Sequence, residues 1–221
     1  MLNRLLDLIA PEDCLECQSE GSVWCELCRL QYEPLPSRCF LCHKQTTNYQ
    51  TCKTCYAKTN LKTVYVYGEY CGINKSLIYA LKFNCKRHAA KPISSSMAQL
   101  LPYFVNSPVI VNIPTAPNRA RQRGFDHTQM LAKELAKQTN LNYKKLLVRT
   151  NSLRQVGAKR QQRINQIKDS FRLKVNSGIV PEHIILVDDV VTTGATLSEA
   201  TKILKQAGVK KVNSLVFAYS K

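Results

Sequence analysis

Two groups of residues in this chain combine type and spacing in ways that could do chemistry. The first is Asp188-Asp189-Val190-Val191-Thr192-Thr193-Gly194-Ala195-Thr196, directly behind the apolar run Ile184-Ile185-Leu186-Val187. Four consecutive apolar residues read as a strand buried on both faces. The stretch from Thr192 to Thr196 offers three hydroxyls and a run of backbone N–H donors ahead of a helix, an arrangement that binds phosphate. Bare carboxylates suit phosphate badly. Asp188 and Asp189 therefore point to another part of the same ligand, either hydroxyl groups or a metal ion. A sugar phosphate has both parts. In open parallel α/β sheets, ligands sit just outside the carboxyl ends of the strands, which is where these residues fall.

The second group is cysteine. Eight of the 10 cysteines form four Cys-x-x-Cys pairs: Cys14/Cys17, Cys25/Cys28, Cys39/Cys42 and Cys52/Cys55. This is ligand spacing for zinc, and eight thiolates complete two closed tetrahedral sites. The spacing leaves the sharing open. Use in sequence makes a double zinc ribbon, and alternating use makes a cross-brace. Disulfides would need an oxidising compartment. Met1–Ala10 is short and interrupted by Arg4 and Asp7, unlike a secretory signal, so the chain is expected in the cytoplasm. Cys71 and Cys85 stand alone and read as small buried residues.

The elements that position these groups follow from periodicity. Thr196 and Glu199 have capping-box spacing, Leu197, Ala200, Leu204 and Ala207 form a helical stripe, and Gly208 stands just past its end. Val212–Ala218 then completes strand–helix–strand. Pro108–Pro114 reads as a strand. Thr128–Thr139 reads as a helix with Met130, Leu131, Leu135 and Ala136 on its apolar side, and His127 ahead of it reads as a polar contact. The expected fold is α/β: an open, mostly parallel sheet with helices on both faces, preceded by a small zinc-ribbon module. The boundary is placed between residues 1–63, which lack the apolar content to fold without metal, and residues 64–221, which open on Val64-Tyr65-Val66-Tyr67. No apolar run reaches membrane-spanning length.

The formal net charge is +17, and nearly all of it lies in one segment. Residues 82–174 carry 19 basic and 3 acidic residues, whereas residues 1–81 carry 8 of each. Such an excess attracts polyanions. Two clusters stand out within it. Arg119, Arg121 and Arg123 precede Gly124-Phe125, and Lys159, Arg160 and Arg163 lie in the polar stretch Gln155–Asn165. That stretch separates apolar segments and reads as a mobile, functional loop.

The segment from Ile184 to Thr196 resembles, position by position, the phosphoribosyl pyrophosphate (PRPP) motif of type I phosphoribosyltransferases. The resemblance implies that Asp188 and Asp189 contact the ribose hydroxyls. It also implies that Thr192, Thr193, Gly194, Ala195 and Thr196 hold the 5′-phosphate, and that Mg²⁺ arrives with PRPP. The Gln155–Asn165 loop would close over the substrate and keep water from an oxocarbenium-like transition state.

Over essentially the whole chain these features resemble the ComF family. They comprise the N-terminal zinc module, Leu81-Lys82-Phe83, the stretch ending Arg121-Gln122-Arg123-Gly124-Phe125, the basic loop and the PRPP motif. Asp126-His127 stands where Asn-Gln is usual in that family. The resemblance implies cytoplasmic handling of single-stranded DNA entering during natural transformation, beside a DNA-translocating ATPase. The chain has no Gly-x-x-x-x-Gly-Lys-Ser/Thr loop with which to be that motor. Two other functions compete: a catalytic phosphoribosyltransferase acting on a base or amine, and a PRPP-sensing regulator of duplex DNA. The whole-chain resemblance and the basic segment favour DNA handling. Backbone phosphates are then expected on Arg119, Arg121, Arg123, Lys159, Arg160 and Arg163, and loop closure over PRPP is expected to compete with DNA.

Overall fold

The computed structural model describes residues 12–150, 170–174 and 180–220. Its main sheet has four parallel strands: β1 (Val64–Glu69), β2 (Val109–Asn112), β5 (His183–Val191) and β6 (Lys211–Tyr219), in the order β1-β6-β5-β2. A two-stranded antiparallel ladder of β3 (Leu147–Arg149) and β4 (Phe171–Leu173) stands apart from it.

Alternation along the strands divides the core into two layers. Tyr65, Tyr67, Ile110, Ile185, Val187, Leu215 and Phe217 face one side, where they meet α3 (Gly72–Phe83), α4 (Ala90–Ala98) and α6 (His127–Thr139). Val64, Val66, Val111, Ile184, Leu186 and Val216 face the other side, where they meet α7 (Ala195–Gln206). Both faces of a parallel sheet must be covered, which is why the strands read as continuous apolar runs rather than alternating ones. A shorter helix, α5 (Pro117–Arg123), follows β2 and ends at Gly124, whose φ of +75° makes a left-handed C-cap.

The cysteine-rich residues do not form a separate ball. The segment around the first two Cys-x-x-Cys pairs, which includes α1 (Glu26–Leu30), packs on the α3–α4–α6 side through Val23 and Trp24. Trp24 sits edge-on to Tyr32 and Tyr67, at 5.8 and 6.4 Å between centroids, and Tyr67 stacks on Phe217 at 5.4 Å. The segment around the other two pairs, which includes α2 (Lys53–Tyr56), packs on the α7 side through Phe40 and Leu61. The two segments thus lie on opposite faces of one sheet.

Two expectations change. The helix after the PRPP motif starts one residue before Thr196, with Gly194 as its N-cap and no side-chain capping bond. The packing of residue 194, described below, sets that start and overrides the Thr196–Glu199 spacing. Cys71 and Cys85 are exposed rather than buried. Cys71 is the N-cap of α3, and Cys85 has a φ of +54° just beyond it, so both occupy turns at a helix end. The described helices include none long and apolar enough to cross a membrane.

Trp24 is 1% exposed, so Trp24→Ala should cost about 3–5 kcal/mol, read as a lower denaturant midpoint. Leu27, on the same segment but 74% exposed, should change stability by no more than about 0.5 kcal/mol when cut to alanine. Equal effects of the two substitutions would detach this segment from the main core.

Candidate functional site

The eight paired cysteines gather into two quartets, Cys14/Cys17/Cys25/Cys28 and Cys39/Cys42/Cys52/Cys55, each with its sulfurs within 4.8 Å of one another. The pairs are therefore used in sequence, as in a double ribbon. Each quartet is built alike. The first pair sits in a tight turn: the Gln18 N–H donates to the Cys14 carbonyl, the His43 N–H donates to the Cys39 carbonyl, and both donors have positive φ. The second pair starts at a helix N-cap, Cys25 for α1 and Cys52 for α2. Cys17 and Cys25 are 3.6 Å apart through sulfur, as are Cys42 and Cys52. A Zn–S bond of about 2.3 Å gives a tetrahedral edge of about 3.8 Å.

The charges also call for a cation. The Ser19 hydroxyl and N–H draw the Cys17 thiol down to about 6. Burial would raise Cys39, but the N–H groups of Cys42 and Cys52 outweigh it and bring that thiol to about 7. The Cys17 sulfur and burial push Cys28 up, and burial with the neighbouring sulfurs pushes Cys55 up to about 12. Four sulfurs this close cannot all ionise without a metal between them. Both quartets can hold an ion such as zinc.

The second site is a cavity of about 630 Å³ at the carboxyl ends of β2 and β5. Asp188, Asp189 and Thr196 line it from β5 and α7, and Arg119, Arg123 and His127 from α5 and α6. Lys82 enters from α3 and Arg149 from β3. Both aspartates are buried, at 9% and 6% exposure, rather than standing clear of the core.

Their environments differ. The Asp189 carboxylate pairs with the Lys82 ammonium, and His127 Nε2 lies 3.3 Å from the same oxygen. Burial alone would raise its pKa, but the Lys82 and His127 interactions outweigh it and hold the carboxyl well below the usual range. Burial, and then the Asp189 charge, push Asp188 well above that range. Asp188 Oδ1 accepts the Asp189 N–H at 2.9 Å. The His127 tautomer follows from its neighbours. Arg123 can only donate, and its Nη1 lies 3.0 Å from His127 Nδ1. The neutral ring therefore carries its proton on Nε2, toward Asp189.

Gly194 shows what supports the turn that opens α7. Its φ is +73°, and a Cβ there would lie 2.6 Å from Phe40 Cε2 and 3.2 Å from Leu61 Cδ1. Below it, the Asn60 side-chain amide donates to the Ser198 carbonyl at 3.0 Å, and the Ser198 hydroxyl donates to Asn60 Oδ1 at 2.7 Å. The second cysteine segment therefore packs directly on the turn that opens α7.

The expected site residues divide. Asp188, Asp189 and Thr196 share the cavity. Ala195 opens α7, and Thr192 and Thr193 are exposed in the turn before it. Arg119 and Arg123 line the cavity, but Arg121 is exposed and donates to Asn118 Oδ1 at 2.8 Å. The cause is helical period: on α5, residues 119 and 123 share a face and residue 121 does not. Lys159, Arg160 and Arg163 lie outside the described residues. His127 makes polar contacts, as read from the sequence. Asp126 caps α6 by accepting the Gln129 N–H at 3.1 Å, and its other oxygen accepts the Thr115 N–H at 3.1 Å. Sequence reasoning quoted Lys82 without giving it a task and missed Arg149. The signal for Lys82 was a lone cation ending an otherwise apolar helix face.

Residues 128–221 match the phosphoribosyl transferase domain family. The chain is 25% identical over 218 residues to competence protein F of Haemophilus influenzae, spanning 90% of this chain and 93% of that one. It is 28% identical over 141 residues to competence protein ComFC of Streptococcus pneumoniae, spanning 63% and 60%. It is 30% identical over 105 residues to DNA utilization protein YhgH of Escherichia coli, spanning 47% and 45%.

Two outcomes are expected. Metal analysis should find close to two zinc ions per chain, and Cys42→Ser should leave about one. A metal-free protein with its thiols paired would refute the quartets as metal centres.

The aspartates should respond oppositely to neutralisation. Asp189 is depressed below its unfolded value of about 3.9, so it stabilises the fold above that pH and loses this effect as pH falls through its folded value. Asp188 is raised, so its ionised form costs stability at neutral pH. At pH 7, Asp189→Asn should lower Tm and Asp188→Asn should raise it, by roughly 2–4 °C per kcal/mol at this length. Shifts of the same sign would refute the assignment.

Proposed function

We propose that this chain, which belongs to the ComF family and has a type I phosphoribosyltransferase fold, binds PRPP with Mg²⁺ in the cavity at Asp188 and Asp189 and handles single-stranded DNA on the basic surface around it. One observation carries the reading: a single cavity sets two acids against Lys82, Arg119, Arg123 and Arg149. Few ligands need both. A ribose carrying phosphates does, with hydroxyls to donate to carboxylates and phosphates for the guanidinium forks.

The roles follow from position. Asp188 and Asp189 accept the ribose hydroxyls. The 5′-phosphate rests on Thr192–Thr196, at the positive end of α7. Lys82, Arg119 and Arg123 face the pyrophosphate. Mg²⁺ is held by one or two carboxylates plus substrate phosphates in such sites. Asp188 fits, because its buried carboxyl lies beside the Asp189 charge, whereas the Lys82 ammonium pairs with Asp189. Bound there, the ion would offset phosphate charge beside the acids. His127 keeps Asp189 oriented, and Arg123 keeps the His127 tautomer.

The relatives' names, competence protein and DNA utilization protein, support a role with DNA. So does the excess of 19 basic over 3 acidic residues in 82–174. The cytoplasm as its place and a DNA-translocating ATPase as its partner belong to the same proposal. Arg121 is free of the cavity and available to a DNA phosphate, whereas Arg119 and Arg123 serve both ligands. PRPP in the cavity withdraws those two from DNA, so the ligands oppose each other, and by linkage they do so reciprocally.

The test is a salt titration of single-stranded DNA binding. Affinity should fall steeply with salt, and Arg121→Ala should flatten the log–log slope by about 0.7. PRPP–Mg²⁺ should weaken DNA binding by the wild type and leave Asp188→Ala/Asp189→Ala unaffected, with the double variant failing to bind PRPP by calorimetry. Equal PRPP binding by wild type and double variant would remove the pocket assignment. An absence of DNA binding would remove the DNA role.

A further inference from the structure

Helix α3 carries an aromatic pair that its own packing does not use. Leu77, Ile78, Ala80 and Leu81 are buried against the sheet, but Tyr79 and Phe83 are 51% and 58% exposed. They lie one turn apart, with ring centroids 4.9 Å apart and planes tilted by 38°. Lys75 stands exposed one turn earlier on the same face. At the other end, the Arg123 guanidinium lies 5.3 Å from the Phe83 centroid, and Arg123 also lines the cavity. Arg87, just beyond the helix, covers Phe125 at 4.8 Å. The order along the surface is thus cation, two aromatics, then an arginine at the cavity wall.

We propose that Tyr79 and Phe83 form a stacking platform for unpaired bases of single-stranded DNA, flanked by Lys75 and Arg123 for the adjoining phosphates, at the lip of the cavity. This rests on the DNA-binding part of the reading above and adds to it a surface and a recognition mode. Aromatic faces bracketed by cations suit a polyanion that presents a π-face at each step. The surrounding charge favours that occupant over an apolar protein partner, because the Arg123 guanidinium lies over Phe83, Lys82 precedes it in the chain and Lys75 stands exposed on the same helix. The ring centroids lie 4.9 Å apart, more than the ~3.4 Å step of a stacked strand. Bases seated one per ring must part from each other, which a single strand allows and a duplex resists.

The experiment compares fluorescence anisotropy of a dT 12-mer with that of an abasic 12-mer of equal charge. Stacking contributes about 1–3 kcal/mol per base, so with one base on each ring the wild type should prefer dT by about 30-fold or more. Tyr79→Ala should lose about tenfold for dT, change abasic binding little and leave the salt slope unaltered. Phe83→Leu, which keeps an apolar surface under Arg123, should do the same. PRPP binding by both variants, measured by calorimetry, confirms that fold and cavity are intact. Equal affinity of the wild type for dT and abasic strands overturns the platform and leaves DNA binding through phosphates standing. Unchanged dT binding in both variants also overturns it. A wild type that binds neither strand overturns the DNA reading itself.

Discussion

A buried carboxylate organises this molecule. Asp189 sits on the central strand β5 and takes its countercharge from Lys82 on α3 and its orientation from His127 on α6. His127 in turn receives Arg123 from α5. Three elements, β5, α3 and α6, therefore meet at one oxygen atom, and α5 supports them through His127. An ionised carboxylate at 6% exposure is tolerable only with such partners. The elements that supply those partners are also the cavity's walls. Seating the charge and building the cavity are one structural requirement.

Its neighbour shows the opposite choice. Asp188 is also buried, and burial together with the Asp189 charge pushes its pKa well above the usual carboxylate range. Two adjacent carboxyls with pKa values driven apart are a common mark of a functional site. Here the difference is set by which side of the strand each residue leaves. Alternation along β5 turns Asp189 toward Lys82 and His127, while Asp188 accepts the Asp189 N–H. The fold keeps a group that is ready to ionise when a suitable partner arrives, at some expense in stability of the empty form.

Much of this was legible in the sequence, and the reasons for the remainder are specific. Apolar runs and helical stripes located β5, α6, α7 and β6, because strands covered on both faces and helices covered on one leave plain patterns. The cysteine spacing revealed the metal sites but not their sharing, which depends on two turns and two helix caps coming together in space. Arg119, Arg121 and Arg123 read as one cluster, because alternation looks like a row until the helix forms. Lys82 could be quoted but not placed, since its partner is more than a hundred residues away and no periodicity links them. The Thr196–Glu199 signature was overruled by contact of Gly194 with side chains from residues 40 and 61.

That contact has a consequence for how the protein keeps its metal. Phe40 belongs to the segment organised by the second quartet, and its ring rests where a side chain of residue 194 would otherwise be. Whatever stiffens the turn at 194 also favours the seated ring, and a seated ring favours the closed quartet. Coupling of this kind runs equally in both directions. If the cavity takes the proposed sugar phosphate and the quartet a metal ion, occupancy of the cavity should slow escape of the ion beside it, and scarcity of that ion should loosen the hold on the sugar phosphate. Trace-metal supply and nucleotide precursor supply would meet at a single glycine.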